Sequence, residues 1–190
     1  LWRLWSAQGG PAPSYLAGHS LGEWSALVCS GSVSFSDALS IVETRGALMQ
    51  AAVPEGKGAM AAIIGLEFDR VIMCCQEAQQ DDEVTAANFN APRQVVIAGS
   101  SEGVARAMCL CKDAGAKRAV VLPVSAPFHC YLMSNATKTM LTELNKLNFK
   151  NASQKLISNV TAEEILDEKN LKELLIKQIE NRVRWRESVL

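Results

Sequence analysis

The stretch Tyr15-Leu16-Ala17-Gly18-His19-Ser20-Leu21-Gly22-Glu23-Trp24 constrains the fold of this chain more than any other. A short apolar run enters a Gly-x-Ser-x-Gly sequence. An amphipathic pattern leaves it, with Leu21, Trp24, Leu27 and Val28 at helical spacing until Gly31 stops it. A strand turning sharply into a helix around a serine is a nucleophile elbow, a feature of α/β architectures. The glycines at 18 and 22 leave room around the turn, so Ser20 is expected to project into a cleft. The helix start supplies a free backbone N–H, that of Leu21, and a positive dipole end where an oxyanion would form. The plain alternative is a glycine-flanked turn with an ordinary serine; the strand before it and the helix after it favour a catalytic one.

A chain of 190 residues is long enough for one core, burying roughly 70% of its unfolded surface. Nineteen basic residues balance twenty acidic ones, and no basic stripe is interleaved with aromatics, which argues against nucleic acid as a partner. The longest apolar runs, such as residues 59–66, are too short to cross a bilayer, so no membrane association is expected. The six cysteines do not look like a disulfide framework, because Cys74 and Cys75 are adjacent and Cys109 and Cys111 share a helix. Neither spacing gives a Cys-x2-Cys metal pair, and there are only two histidines. The thiols read as small buried hydrophobes in a reducing compartment. The chain begins at Leu1 rather than methionine, inside what already reads as a helix over 1–8 with Leu1, Trp2, Leu4 and Trp5 on its apolar face. It is therefore expected to be a fragment, with residues 186–190 as the start of a further helix.

Ser34-Phe35-Ser36-Asp37 opens a helix reaching residue 52, on which Ala38, Val42, Arg45 and Met49 fall on one face. Arg45 thus sits on an apolar stripe with no acid beside it, since Glu43 points elsewhere. Either it snorkels to water or its planar fork waits for a substrate carboxylate. After a break at 54–58, strand is expected over 59–66, 84–88, 94–98 and 118–124, the middle pair joined by an Asn-Ala-Pro turn. Helix is expected over 69–79 and 101–114. That β-α-β-β-α-β order is ferredoxin-like. Residues 57–124 therefore read as a small subdomain inserted into a core built from 1–56 and 125–190.

The insert leads to Ser125-Ala126-Pro127-Phe128-His129-Cys130. His19 adjoins Ser20 on a turn where its ring would point away, so His129 is the candidate base for Ser20, against the alternative of a histidine without chemistry. Cys130 is the weaker nucleophile, since neighbours in an extended loop face opposite ways. Helix is expected over 132–147 and 166–180, with strand over 155–160. In the last helix Leu171, Leu174 and Gln178 share a face, and a free carbonyl at its C-terminal turn could accept an imidazole N–H and fix the tautomer.

These residues resemble the malonyl-CoA:acyl carrier protein transacylase family, most closely that of bacterial type II fatty acid synthesis. The likeness is carried by Gly18-His19-Ser20-Leu21-Gly22-Glu23, Glu43-Thr44-Arg45-Gly46 with Leu48-Met49-Gln50, and Asn88-Phe89-Asn90-x-Pro92-x-Gln94-Val95-Val96-Ile97-Ala98-Gly99. It continues through Pro127-Phe128-His129-Cys130 with Leu132-Met133, Ile157-Ser158-Asn159-Val160, and Gln178-x4-Val183-Arg184-Trp185. The resemblance implies an α/β-hydrolase-like parallel sheet core with a ferredoxin-like insert. Ser20 would be the acylated nucleophile, His129 its base and the Gln178 carbonyl the group that orients His129. Arg45 would grip the malonyl carboxylate, Leu21 N–H would be an oxyanion donor, and Met49 and Asn88 would line the acyl pocket.

Malonyl-CoA and acyl carrier protein would be the partners, with no cofactor and no metal. Phe128 ahead of His129 resembles the malonyl-selective pattern. The family's second oxyanion donor comes from a glutamine in a Gly-Gln-Gly motif near the N-terminus, and no such motif precedes Ser20; a Gly-Pro-Gly region at the far end is absent as well. The isolated chain is accordingly expected to be weakly active or poorly folded. Two other readings stay open. One is a serine esterase or thioesterase of α/β-hydrolase type with Asp113 as its acid; the other is a non-catalytic piece that binds carrier protein. A cytoplasmic location is expected, and a mitochondrial one fits the same residues.

Overall fold

Apolar residues at helical spacing and apolar residues in alternation separate along the chain, and each set builds its own core. The computed structural model describes residues 1–165 and 167–190. It opens with helix α1 (Trp2–Ala7), strand β1 (Tyr15–Leu16), α2 (Leu21–Cys29) and α3 (Phe35–Ala51). Ser34 starts α3 as a side-chain cap, accepting from the Asp37 N–H. A middle section follows: β2 (Gly58–Ile64), α4 (Phe68–Gln79), β3 (Val84–Ala91), β4 (Gln94–Ser100), α5 (Ser101–Asp113) and β5 (Arg118–Val121). The chain then runs through a 3-10 turn (Tyr131–Met133), α6 (Ser134–Leu144), β6 (Lys155–Leu156), α7 (Glu168–Glu180) and α8 (Trp185–Val189).

Helices α2, α3, α6 and α7 close over a core containing Trp24, Leu27, Ile41, Met140, Leu144 and Leu175. β1 and β6 pair in parallel beside it, Tyr15 with Lys155 and Leu16 with Leu156. The middle section is an antiparallel sheet in the order β3-β4-β2-β5, the arrangement of a ferredoxin-like βαββαβ unit. Alternation gives that sheet two buried faces. Ala61, Ile63, Val95 and Ile97 face α4 and α5. Met60, Val96 and Ala98 pack instead with Cys130, and Phe128 joins them. The second face is therefore a seat for the loop that carries His129.

Several elements are shorter than the apolar pattern predicts. Helix 132–147 is realised as the turn at Tyr131–Met133 followed by Ser134–Leu144, and strand 118–124 stops at Val121, beyond which Val124 N–H bonds back to Leu122. Strand 155–160 ends at Leu156, because its partner β1 has two residues and the chain must turn to bring Asn159 back to the elbow. The β3–β4 turn is made by Pro92 and Arg93, one step later than expected, with Arg93 at φ 56°. The expected first residue of the last helix, Leu166, lies outside the described residues; Asp167 caps the helix, accepting from Asn170 N–H. The predicted apolar face of α1 is not buried, and Leu1, Leu4 and Trp5 are exposed. No described helix is long and apolar enough to cross a membrane.

Ile97 and Val121 flank Ala61 on the same face of the sheet, but interior strand β4 and edge strand β5 make unequal demands. Ile97→Ala, at a fully buried site, is expected to cost roughly 2–5 kcal/mol. Val121→Ala, at an exposed one, should stay within about 0.5 kcal/mol. Urea unfolding followed by circular dichroism reads both as midpoint shifts.

Candidate active site

Ser20 sits at the hinge between β1 and α2 with φ 53° and ψ −103°, a left-handed backbone that non-glycine residues rarely adopt. Such a conformation costs of order 1–3 kcal/mol and survives only where its surroundings hold it. Here they do. Ser20 N–H donates to Asn159 Oδ1 at 2.6 Å, and Ser20 O accepts from Glu23 N–H at 3.1 Å and from Gln178 Nε2 at 3.1 Å. Asn159 Nδ2 donates to Gly18 O at 2.8 Å, so one amide fixes both sides of the turn. The two glycines of the elbow are not equivalent. A Cβ on Gly18 would lie 2.0 Å from the Gly22 carbonyl carbon and oxygen, whereas one on Gly22 meets open space.

His129, also in left-handed backbone at φ 62°, places Nε2 2.8 Å from Ser20 Oγ and Nδ1 2.7 Å from the Gln178 carbonyl oxygen. A carbonyl only accepts, so Nδ1 carries the proton and Nε2 presents a lone pair to the Ser20 hydroxyl. The carbonyl is available because α7 ends two residues later, leaving its last carbonyls without helical donors. Burial, reinforced by the Arg45 charge, lowers the His129 pKa from 6.5 to about 3. The imidazole is therefore neutral at ordinary pH and becomes a cation only against charge developing beside it.

Arg45 is 7% exposed. Its Nη2 donates to Ser20 Oγ and to Gln178 Oε1, both at 2.9 Å, while its Nε is buried without a partner among the described residues. Burial lowers its pKa to about 10, with Glu23 acting the other way, so it remains a cation at neutral pH. It does not snorkel. Glu43 is exposed, as expected; the acid that answers Arg45 is Glu23 of α2, which is buried. Glu23 accepts from the Gln178 side-chain amide and, at 3.2 Å, from Asn159 N–H. Burial raises its pKa to about 7.

The remaining sequence-predicted residues fall as follows. Leu21 heads α2 with its N–H free of any helical acceptor; its side chain is exposed rather than on the buried face with Trp24 and Leu27. Met49 lies one turn beyond Arg45, buried in the main core. Asn88 is buried in β3, its Nδ2 without a partner among the described residues. His19 turns from Ser20 and meets Asn90 Oδ1 at 2.9 Å, against Trp185. Cys130 donates to Pro127 O at 3.0 Å, and burial pushes its pKa to about 12, which removes it as a nucleophile. Asp113 is exposed at the end of α5, and the place a triad acid would take at His129 Nδ1 belongs to the Gln178 carbonyl. Sequence reasoning assigned no role to Glu23, Asn159 or the Gln178 side chain, although all three lie in the motifs that carried the resemblance.

A serine hydroxyl hydrogen-bonded to a neutral imidazole, with a buried cation at the same oxygen, can attack an electrophilic carbonyl and hold a carboxylate next to it. Labelling of Ser20 by a fluorophosphonate is expected to stay level from about pH 8 down past the ordinary imidazole value of 6.5, falling only in stronger acid. Mass spectrometry of the labelled protein gives the rate. Gly18→Ala should abolish labelling, because the added methyl drives the start of α2 off the turn, whereas Gly22→Ala should label at a rate within about threefold of the parent's.

The acyl transferase domain family matches residues 1–190. The chain is 49% identical, over 189 residues, to the malonyl CoA-acyl carrier protein transacylase of Escherichia coli K12, covering 100% of this chain and 61% of that protein. It is 43% identical over 183 residues to the Bacillus subtilis protein of the same name, covering 96% and 58%. An acyl carrier protein S-malonyltransferase from Vibrio cholerae superposes with a TM-score of 0.97 at 49% identity, covering 99% of this chain and 61% of that one. A malonyl-transacylase in complex with its type II PKS acyl-carrier protein superposes with a TM-score of 0.95 at 47% identity, covering 97% and 60%. The chain thus spans about three-fifths of the length of these relatives.

Proposed function

Because the chain belongs to the acyl transferase domain family, we propose that it transfers a malonyl group from coenzyme A to the phosphopantetheine thiol of an acyl carrier protein, in fatty acid biosynthesis. The observation that carries the substrate choice is Arg45: a buried guanidinium with one nitrogen 2.9 Å from Ser20 Oγ and its Nε unpartnered. A cation so placed is complementary to an acyl group bearing a carboxylate. An acetyl group would offer that cation no counter-charge and its Nε no acceptor.

The reaction runs in two halves. Ser20 Oγ attacks the thioester carbonyl as its proton passes to His129 Nε2, and the Gln178 carbonyl stabilises the imidazolium through Nδ1–H. The oxyanion faces the Leu21 N–H at the start of α2. Collapse breaks the carbon–sulfur bond, and the departing coenzyme A sulfur takes the proton back from His129. The carrier thiol then gives its proton to His129 and its sulfur attacks the seryl ester carbonyl; collapse breaks the carbon–oxygen bond, Ser20 Oγ takes the proton back from His129, and the carrier leaves with the malonyl group as a thioester. No cofactor enters. Met49, one turn beyond Arg45, and Asn88, with a spare buried donor, are assigned to the acyl pocket.

A hydrolase is disfavoured by the same geometry. A triad carboxylate at His129 Nδ1 is replaced by a main-chain carbonyl, and hydrolysis has no use for a buried arginine at the nucleophile. A cytoplasmic location is part of this reading, in keeping with six free thiols.

Incubating the full-length protein with radiolabelled malonyl-CoA should give a stable ester on Ser20 that phosphopantetheinylated carrier protein discharges. Free malonate as the product would mean hydrolysis, and carrier binding undiminished by Ser20→Ala without any ester would mean a non-catalytic adaptor. Arg45→Ala should lower kcat/KM for malonyl-CoA by roughly 100-fold and that for acetyl-CoA by less than about tenfold; equal losses would remove the carboxylate clamp.

A further inference from the structure

Gln178 stands between two opposite charges. Its Oε1 accepts from Arg45 Nη2 at 2.9 Å, and its Nε2 donates to a Glu23 carboxylate oxygen. The amide dipole is thus lined up from guanidinium to carboxylate, and Gln178 has no side-chain exposure through which water could screen them. Glu23 itself is 2% exposed. Its other oxygen is held by Asn159 N–H at 3.2 Å. It is the only carboxylate acting on the Arg45 charge among the described residues.

The resting site therefore holds one buried cation answered, through one amide, by one buried carboxylate. A malonyl group brings a second carboxylate to the same cation. Two anions and one cation in a dry cavity leave one negative charge uncompensated, which is costly. The acyl carboxylate sits in direct contact with the guanidinium and is tethered by its ester to Ser20, whereas Glu23 reaches it only through Gln178. Glu23 is the group that yields. We propose that Glu23 is the resident counter-charge of Arg45 and that it takes up a proton when a carboxylated acyl group enters the pocket, so that binding of malonyl, but not of acetyl, is coupled to protonation of Glu23. This rests on the malonyl-transfer reading above and extends it from the residue that grips the carboxylate to the one that sets the grip.

The groups packed around Glu23 permit this exchange. From α3 comes Arg45, from α7 the Gln178 amide, and from the segment after β6 the Asn159 main chain. His129, beyond Gln178, is kept neutral by burial. With its pKa raised to about 7, Glu23 changes charge in the neutral range, where an ordinary malonyl carboxylate is fully ionised. The sign follows. On the acid side Glu23 is neutral and Arg45 draws the malonyl group at full strength. On the alkaline side ionised Glu23 competes, and malonyl loses ground to acetyl.

The test measures kcat/KM for malonyl-CoA over kcat/KM for acetyl-CoA in the full-length protein. Both donors share the coenzyme A portion and the chemical step, so the ratio isolates the carboxylate. The ratio is expected to fall roughly tenfold between about pH 6 and pH 8 in the parent and to stay level in Glu23→Gln. A residue that merely stabilised the fold would lower both activities and leave the ratio and its pH profile unmoved. A level ratio in the parent, or a falling one in Glu23→Gln, overturns the proposal. Should Glu23→Gln not fold, calorimetry of the parent in two buffers of different ionisation enthalpy decides: malonyl-CoA should take up a fraction of a proton near neutrality that acetyl-CoA does not, and equal uptake rejects the exchange. Malonyl transfer with a level ratio would sink this inference alone, whereas absence of malonyl transfer at every pH would sink the function with it.

Discussion

The site depends on Gln178 more than on the serine it serves. A fully buried glutamine must satisfy an amide with two donors and an acceptor, and this one does so entirely within the site. Nε2 reaches Glu23 and Ser20 O, and Oε1 takes Arg45. Its main-chain carbonyl is free because α7 ends just beyond it, and that carbonyl takes His129 Nδ1–H. One residue thereby fixes the tautomer of the base, the height of the elbow and the reach of the guanidinium. It does so from a helix anchored by Leu171, Leu175 and Ile179 in the main core. The apolar face of α7 sets the geometry of the polar chemistry at its end.

The reacting pair is strained on both sides, and the strain is held from different parts of the chain. Ser20 and His129 both occupy left-handed backbone. The first is clamped by Asn159, which arrives because the strand after residue 155 stops early. The second rides on a loop whose Cys130 and Phe128 pack into the outer face of the antiparallel sheet beside Met60, Val96 and Ala98. The antiparallel sheet is thus the seat of the loop that carries His129. The parallel bridge between Asn88 and Val183, with Phe89 N–H to Val183 O at 2.9 Å and Val183 N–H to Ala87 O at 2.8 Å, ties that sheet to the segment leaving α7. His129, the Gln178 carbonyl and the sheet are therefore joined by direct contacts.

Much of this was legible because chemistry with strict local geometry leaves a local pattern. Gly-x-Ser-x-Gly between a strand and a helix located Ser20, the scarcity of histidines left His129, and an arginine on an apolar helical stripe exposed Arg45. Glu23 was hidden by its own position. Three residues after Ser20, at the third position of a helix, an acid completes the Ser-x-x-Glu signature of a solvent-facing capping box. In the fold the Ser20 side chain makes no cap bond, because the left-handed turn aims its hydroxyl at His129, and Glu23 turns inward instead. Asn159 was missed for a related reason: apolar alternation carried the predicted strand straight through it, where a side-chain amide recruited from a distant turn leaves no periodic trace. The strand and helix ends that overshot, at 121, 144 and 156, have the same origin. Apolar pattern reports burial, and His129 and Asn159 are buried without being in regular structure.

A main-chain carbonyl behind His129, where a hydrolase triad would use a carboxylate, follows from the need to keep Arg45 available. A carboxylate in hydrogen-bond contact with Nδ1 would add a second full negative charge to the buried site that holds Arg45. Two unit charges interact by roughly 4 kcal/mol at 4 Å and an effective dielectric constant of about 20, and such a charge would compete with an acyl carboxylate for the guanidinium. A carbonyl fixes the same tautomer with a dipole in place of a charge. The one carboxylate that remains is set back behind the Gln178 amide and buried until its pKa rises to about 7. There it is weak enough as an anion to be displaced, and strong enough to keep Arg45 from lying unanswered in an empty pocket. Placing Glu23 behind Gln178 lets one cation serve two anions in turn, a requirement that belongs to a site accepting charged acyl groups and not to one that hydrolyses neutral esters.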